Sequence, residues 1–315
     1  MMLLPLHLII GSLIFSDVTA INKKEQNLVE HHLLPLKEEI FMHRLWDGMD
    51  IEYSFDNSTH FELLTEKKFA RAGTAGMFDS GTNLMDAYKI LNFKAPKKLE
   101  FFKHLPPMIQ NGVDYQKEYF EPRLKQFKKE GNEGIVAMVR NPISHLVSWK
   151  KAGYDLHKCS ELPWETVLSS TCKFQHGRFP QFHFEAPGLV NVWNKYVRGY
   201  LELAEKHDNF MIVRFEDLVI DPEATVAAVA KFQGLKVPDP LVHVYAPAKP
   251  SGTPSGRSEA LSKIQDHQYL VEGDMPIVEH LEQMCTSIDW SLVEKLPKLS
   301  KDVPSYKSDC EKFLS

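Results

Sequence analysis

Between Lys68 and Phe232 the chain alternates short apolar runs with stretches of helical period, and this alternation fixes the class of fold it can adopt. Phe69–Phe78 is a strand candidate rich in small residues, and Asn83–Leu91 then sets Leu84, Ala87, Tyr88 and Leu91 at helical spacing. Leu99–Phe102 reads as a short strand. Gly134–Val139 is the compact apolar run of a buried parallel strand, stopped by Arg140-Asn141-Pro142. Leu189–Lys206 carries Val192, Tyr196, Tyr200 and Leu203 on one helical stripe, and Phe210–Phe215 is another buried strand. Pro222 opens a helix to about Phe232, with Gly234 beyond its end. Strands separated by helices pair in parallel, so we expect an α/β fold: a single domain over 67–315, its central parallel sheet flanked by helices. Residues 21–66 hold no sustained period and read as an N-terminal extension. The stretch 153–188, with Cys, Trp, Pro and several His, reads as an irregular insertion over the site.

Composition narrows the partners. Lys and Arg number 37 against 42 Asp and Glu, a net charge of −5, which leaves no global footprint for nucleic acid or an anionic membrane. Met1–Phe15 holds eleven apolar residues among fifteen, shorter than the roughly 20 that span a bilayer. Followed by Val18-Thr19-Ala20, it fits a signal peptide over 1–20. The alternative is a short signal-anchor, in which case the protein would meet the membrane, but Lys23 and Lys24 lie on the wrong side for that orientation. Asn57-Ser58-Thr59 is a glycosylation sequon. Four cysteines allow three pairings, of which Cys159–Cys172 with Cys285–Cys310 is the economical one; four reduced thiols are the alternative in a cytosolic chain.

The strand before Asp79-Ser80-Gly81-Thr82-Asn83 turns there into a helix, and such a junction is built to hold phosphate. The first helical turn presents unpaired N–H groups at the positive end of the dipole. Read from Gly76, the string is G-x-x-x-x-G-T-N, the frame of a nucleotide-triphosphate loop without its Lys and its magnesium-binding Ser or Thr. At the end of strand 134–139 stands Arg140, and Ser148 follows eight residues later on the next helix. Arg offers phosphate a planar charged fork and Ser a directed donor. Between the two elements lies Lys103-His104-Leu105-Pro106. Later come Trp193-Asn194-Lys195-Tyr196, Phe215-Glu216-Asp217-Leu218 with Asp221-Pro222, and the Gly-rich basic loop 249–257 ending Ser255-Gly256-Arg257.

Taken together, residues 68–260 resemble the sulfotransferases that use 3′-phosphoadenosine-5′-phosphosulfate (PAPS), a divergent member apart from the cytosolic drug- and steroid-sulfating enzymes. The resemblance implies that Ser80, Gly81, Thr82 and Asn83, with Asp79 in the same loop, receive the 5′-phosphosulfate. It implies that Arg140 and Ser148 hold the 3′-phosphate under a lid of Ser255, Gly256 and Arg257. His104 would be the base that takes the acceptor's proton, a task suited to an imidazole of ordinary pKa near about 6.5. Other families of the fold use Glu, so Asp79, Glu118 and Glu121 are alternatives. The cytosolic enzymes carry Lys where this chain has Asp79, an unfavourable neighbour for a phosphosulfate unless salt-bridged or turned away; Lys103 would supply the missing positive charge. No metal is required, and His31-His32 is a solvated pair. With the luminal address the acceptor would be a glycan or another hydroxyl compound of the secretory pathway, in the Golgi lumen or outside the cell. Two rivals stand beside this reading: a degenerate P-loop kinase or nucleotidase, and a luminal nucleotide-binding protein without turnover.

Overall fold

The computed structural model describes residues 73–93, 103–110, 112–130, 134–177, 181–245, 257–271 and 277–311, all within the unit Tyr53–Ser315. The signal segment 1–20, the extension 21–66, the sequon at Asn57, strand Leu99–Phe102 and the lid residues Ser255 and Gly256 lie outside them.

Three parallel strands form the centre in the order β1 (Gly73–Gly76), β4 (Ile135–Val139), β7 (Phe210–Arg214), and a short antiparallel pair, β2 (Ile109–Gln110) with β3 (Val113–Asp114), falls between β1 and β4 in the chain. Every residue of β4 is buried, as its unbroken apolar run requires of a strand paired on both edges and covered on both faces. Its register pairs Gly76 with Met138 and Val139 with Arg214, so the strands end side by side and deliver their loops to one edge. Lys103 adds a parallel bridge to Gly76 on the outer side of β1.

Each strand passes directly into a helix: Thr82–Phe93 after β1, Pro142–Lys151 after β4, Phe215–Ile220 after β7. Asn141 caps the second, its side chain accepting from the N–H groups of Ile143 and Ser144, with Pro142 in the first turn. Asp221 caps helix Pro222–Phe232 in the same way through Ala224. Helix Leu189–Lys206 buries Val192, Trp193, Tyr196, Tyr200 and Leu203, the face expected from its period.

The insertion is more regular than its sequence suggests. It holds short helices and an antiparallel hairpin, β5 (Thr171–Gln175) with β6 (His183–Pro187). Alternate burial places Cys172, Phe174, Phe184 and Ala186 on the core side, while the outward positions are polar. Both expected bridges, Cys159–Cys172 and Cys285–Cys310, are present, with Cα atoms 5.3 and 5.5 Å apart.

Candidate active site

The turn after β1 is braced from within. Ser80 gives both its hydroxyl (2.7 Å) and its N–H (3.2 Å) to the carbonyl of Met77, so this serine shapes the loop and presents no donor outward. The N–H groups of Gly81, Thr82 and Asn83, and the Thr82 hydroxyl, have no acceptor among the described residues. They are the orphan donors of a helix N-terminus, at its positive end. Helix Pro142–Lys151 clamps the loop from the side: His145 Nε2 and Trp149 Nε1 both donate to the Phe78 carbonyl, at 2.6 and 2.9 Å. Neither residue stands out in the sequence, where both read as helix core.

Gly81 has φ +93°, and a Cβ there would lie 2.4 Å from the Phe215 ring. The backbone therefore needs glycine twice over, for its left-handed conformation and for the approach of an aromatic ring. Phe215 in turn carries the Arg140 guanidinium 5.0 Å from its centroid. Gly81→Ala should therefore displace the ring and the arginine together. We expect a fall in thermal midpoint of roughly 5 °C from about 2 kcal/mol of strain, measured by calorimetry; an unchanged midpoint would refute this account of the turn.

Arg140 and Ser148 meet, as the resemblance to sulfotransferases implies. Arg140 donates from Nη1 to Ser148 Oγ (2.8 Å) and to the carbonyl of Asp79 (3.2 Å), and from Nε to Ser144 Oγ (2.9 Å). Ser144 and Ser148 are one turn apart on the same helix face, and the sequence reading found only the second. The Arg140 Nη2 hydrogens and the Ser148 hydroxyl proton have no partner among the described residues. Two donors, one of them cationic, thus remain at one place, which is the chemistry an anion requires.

Asp79 takes φ 60°, a conformation that Asp tolerates better than most residues, and through its carbonyl it ties the phosphate loop to Arg140. Lys103 reaches the start of helix Thr82–Phe93 and donates to Asn83 Oδ1. The asparagine oxygen is thereby spent on the lysine, while its Nδ2 hydrogens and backbone N–H have no acceptor among the described residues. The ammonium lies at the start of that helix.

His104 has φ 67° and turns its ring back onto the strand: Nδ1 lies 2.8 Å from the Gly76 carbonyl, which can only accept. In the neutral ring Nδ1 therefore holds the proton and Nε2 the lone pair. The ring packs on Phe78 at 4.1 Å, and Phe78 stacks in turn on Tyr154 at 5.1 Å. Glu118 is exposed, and Glu121 pairs with Lys125 at 3.9 Å.

One helix holds both halves of the site. In Leu189–Lys206, Trp193 Nε1 donates to the Arg140 carbonyl (3.0 Å) and Tyr196 donates to the His104 carbonyl (2.9 Å). The sequence marked these two residues as part of a pattern and as core, which they also are. Glu216, only 3% exposed, accepts the Asn141 N–H at 3.0 Å and the Tyr306 hydroxyl. Burial pushes its carboxyl up, opposed by those hydrogen bonds and the Arg140 charge.

Arg257 departs from its expected place. It opens helix Arg257–Gln265, yet its Nε donates to the Val219 carbonyl (3.0 Å) and its Nη2 to that of Ile220 (3.5 Å). The guanidinium thus caps the C-terminal end of helix Phe215–Ile220, where a cation is favoured. Nη1 is its donor with no partner among the described residues.

A family model described as a sulfotransferase domain matches residues 115–272. Arg140, Ser148, Trp193, Glu216 and Arg257 fall inside that span, while the loop 79–83, Lys103 and His104 precede it. No curated protein matches the chain.

Proposed function

Because the chain belongs to the sulfotransferase domain family, we propose that it moves a sulfuryl group from PAPS to a hydroxyl of a carbohydrate or a similar secretory-pathway acceptor. The observation that carries the nucleotide half of this reading is the pair of unspent donors at the end of β4, Arg140 Nη2 and the hydroxyl of Ser148, whose oxygen accepts from Arg140 Nη1 at 2.8 Å. These residues fit a 3′-phosphate. The N–H groups of Gly81, Thr82 and Asn83 and the Thr82 hydroxyl fit a second anion at the end of β1. When bound, PAPS supplies a sulfuryl group on a reactive phosphate-sulfate bond whose cleavage leaves charge on the 5′-phosphate.

Around that bond the chain does three things. Lys103, held by Asn83, sets an ammonium beside the helix N-terminus, where negative charge develops. Arg140 and Ser148 grip the anion that distinguishes this nucleotide from ADP. His104 accepts the acceptor's proton at Nε2 as the acceptor oxygen bonds to sulfur. The two disulfides support a secretory or luminal address, because such bonds persist in oxidising compartments. A carbohydrate acceptor agrees with that address.

The test is calorimetric binding of adenosine 3′,5′-bisphosphate and of ADP. The bisphosphate should bind at least tenfold more tightly, and Arg140→Ala should remove about 1.5–3 kcal/mol of its affinity while leaving ADP little changed. Equal affinity for both ligands in the native chain would end the PAPS reading and favour a nucleotide-triphosphate enzyme.

A further inference from the structure

The Arg140 side chain is aimed by the peptide that follows it. Both polar atoms of that peptide are fixed by buried groups: its carbonyl accepts from Trp193 Nε1 at 3.0 Å, and its N–H, on Asn141, donates to Glu216 Oε1 at 3.0 Å. Glu216 is held in its turn. Its second oxygen accepts the hydroxyl of Tyr306, a residue 3% exposed whose ring lies 5.5 Å over the Arg214 guanidinium. Tyr306 belongs to the segment 297–311, which follows helix Trp290–Lys295 and lies wholly outside the span matched by the family.

The same segment has a second grip. The Asp309 carboxylate, 2% exposed, accepts from the Tyr269 hydroxyl at 2.6 Å and faces His267 Nδ1 at 2.6 Å. His267 and Tyr269 come just after helix Arg257–Gln265, the element that begins at the lid candidate Arg257. Between the two grips lies a cavity of about 10 Å³, the room of about one water, lined among others by Asn141, Glu216, His267, Tyr269 and Tyr306. The segment is anchored at both ends. The N–H groups of Leu299 and Ser300 donate to Asp217, at 3.4 and 3.1 Å, and Cys310 is bonded to Cys285.

We infer that Tyr306 and Asp309 are positioning residues for the 3′-phosphate grip, Tyr306 acting through Glu216 on the Arg140–Asn141 peptide and Asp309 through His267 and Tyr269 on the helix that starts at Arg257. The C-terminal segment is then a strap that braces the Arg140–Asn141 peptide from Glu216 and from His267 and Tyr269, which line the same cavity. Neither residue touches the nucleotide. A strap of this kind changes how well a 3′-phosphate is told from its absence, and it reaches the loop after β1 only at second hand, through the Arg140–Asp79 hydrogen bond and the Phe215 ring. The inference rests on the nucleotide reading above, and the experiment separates the failure of one from the failure of the other.

The probes are adenosine 3′,5′-bisphosphate and ADP, titrated calorimetrically into the full chain with its disulfides intact. Tyr306→Phe removes one hydroxyl and keeps the ring on Arg214. It should weaken bisphosphate binding by roughly five- to tenfold and ADP by less than twofold. Asp309→Asn, a second and independent variant, should shrink the same preference by about threefold or more. Glu216→Gln should keep most of the preference, since the amide still accepts from Asn141 and can donate to Tyr306. A purely structural role would move both ligands, or only the thermal midpoint, in parallel. If both variants keep the native preference, the strap inference fails while the nucleotide reading stands. If the native chain shows no preference, both fail.

Discussion

Replacing His104 by alanine is expected to lower turnover by about 10²–10⁴-fold while affinity for adenosine 3′,5′-bisphosphate stays within about twofold. The expectation follows from how the ring is held. The Gly76 carbonyl fixes the proton on Nδ1 and so leaves Nε2 to receive one. Once Nε2 is protonated, the Nδ1–H···O=C bond gains a charged donor and strengthens. The face of Phe78, 4.1 Å from the ring, favours the cation as well. The His104 carbonyl is tied to Tyr196, so the backbone that mounts the imidazole does not follow the side chain when it is removed. The assay is transfer of labelled sulfate to whichever member of a panel of neutral saccharides the native chain accepts. Loss of binding and rate in equal measure would make His104 a structural residue and return the search to another base.

The parts of this site legible in the sequence are those that lie close together in the chain at strand-to-helix junctions. Arg140 at a strand end and Ser148 eight residues on were readable through their resemblance to the 3′-phosphate element of sulfotransferases, and they meet at 2.8 Å. The turn at Gly81 was readable as a phosphate-holding junction, but the packing that demands its glycine was not: Phe215 lies more than a hundred residues away and no local pattern announces it. Glu216 could be read only as support for a strand, since its hold on Asn141 spans 75 residues. The hairpin in the insertion was missed although Thr171–Gln175 and His183–Ala186 alternate polar and apolar residues as a half-buried strand does, because the alternation is brief and stands among Cys, Trp, Pro and His residues of no common period. Arg257 was placed by its basic, Gly-rich surroundings, which do not reveal that two open carbonyls at a helix end would claim it. The strap is the least legible part. It has no long element, and its meaning lies entirely in contacts to distant residues.

Asp217→Ala is expected to cost about 3–5 kcal/mol of stability, the largest structural effect among the residues around the site. Asp217 is fully buried and accepts from Arg214 Nε (2.8 Å) and Nη2 (2.6 Å) in a bidentate pair. Burial works against the Arg214 charge, and the hydrogen bonds to Asp217 with the neighbouring carboxylates outweigh it, so its pKa is raised and it stays ionised. Removing the carboxylate leaves that guanidinium 2% exposed and uncompensated, and deprives the Leu299 and Ser300 N–H groups of their acceptor. The thermal midpoint should fall by roughly 10 °C in a calorimetric scan. Replacing Arg214 and Asp217 together, by Met and Leu, should recover part of the loss, since no buried charge is then stranded. Recovery stays incomplete because the strap's N–H groups still lack a partner. A single variant within about 2 °C of the native midpoint would show that the pair contributes little. The strap would then have to be held by its disulfide and by Tyr306 rather than by this carboxylate.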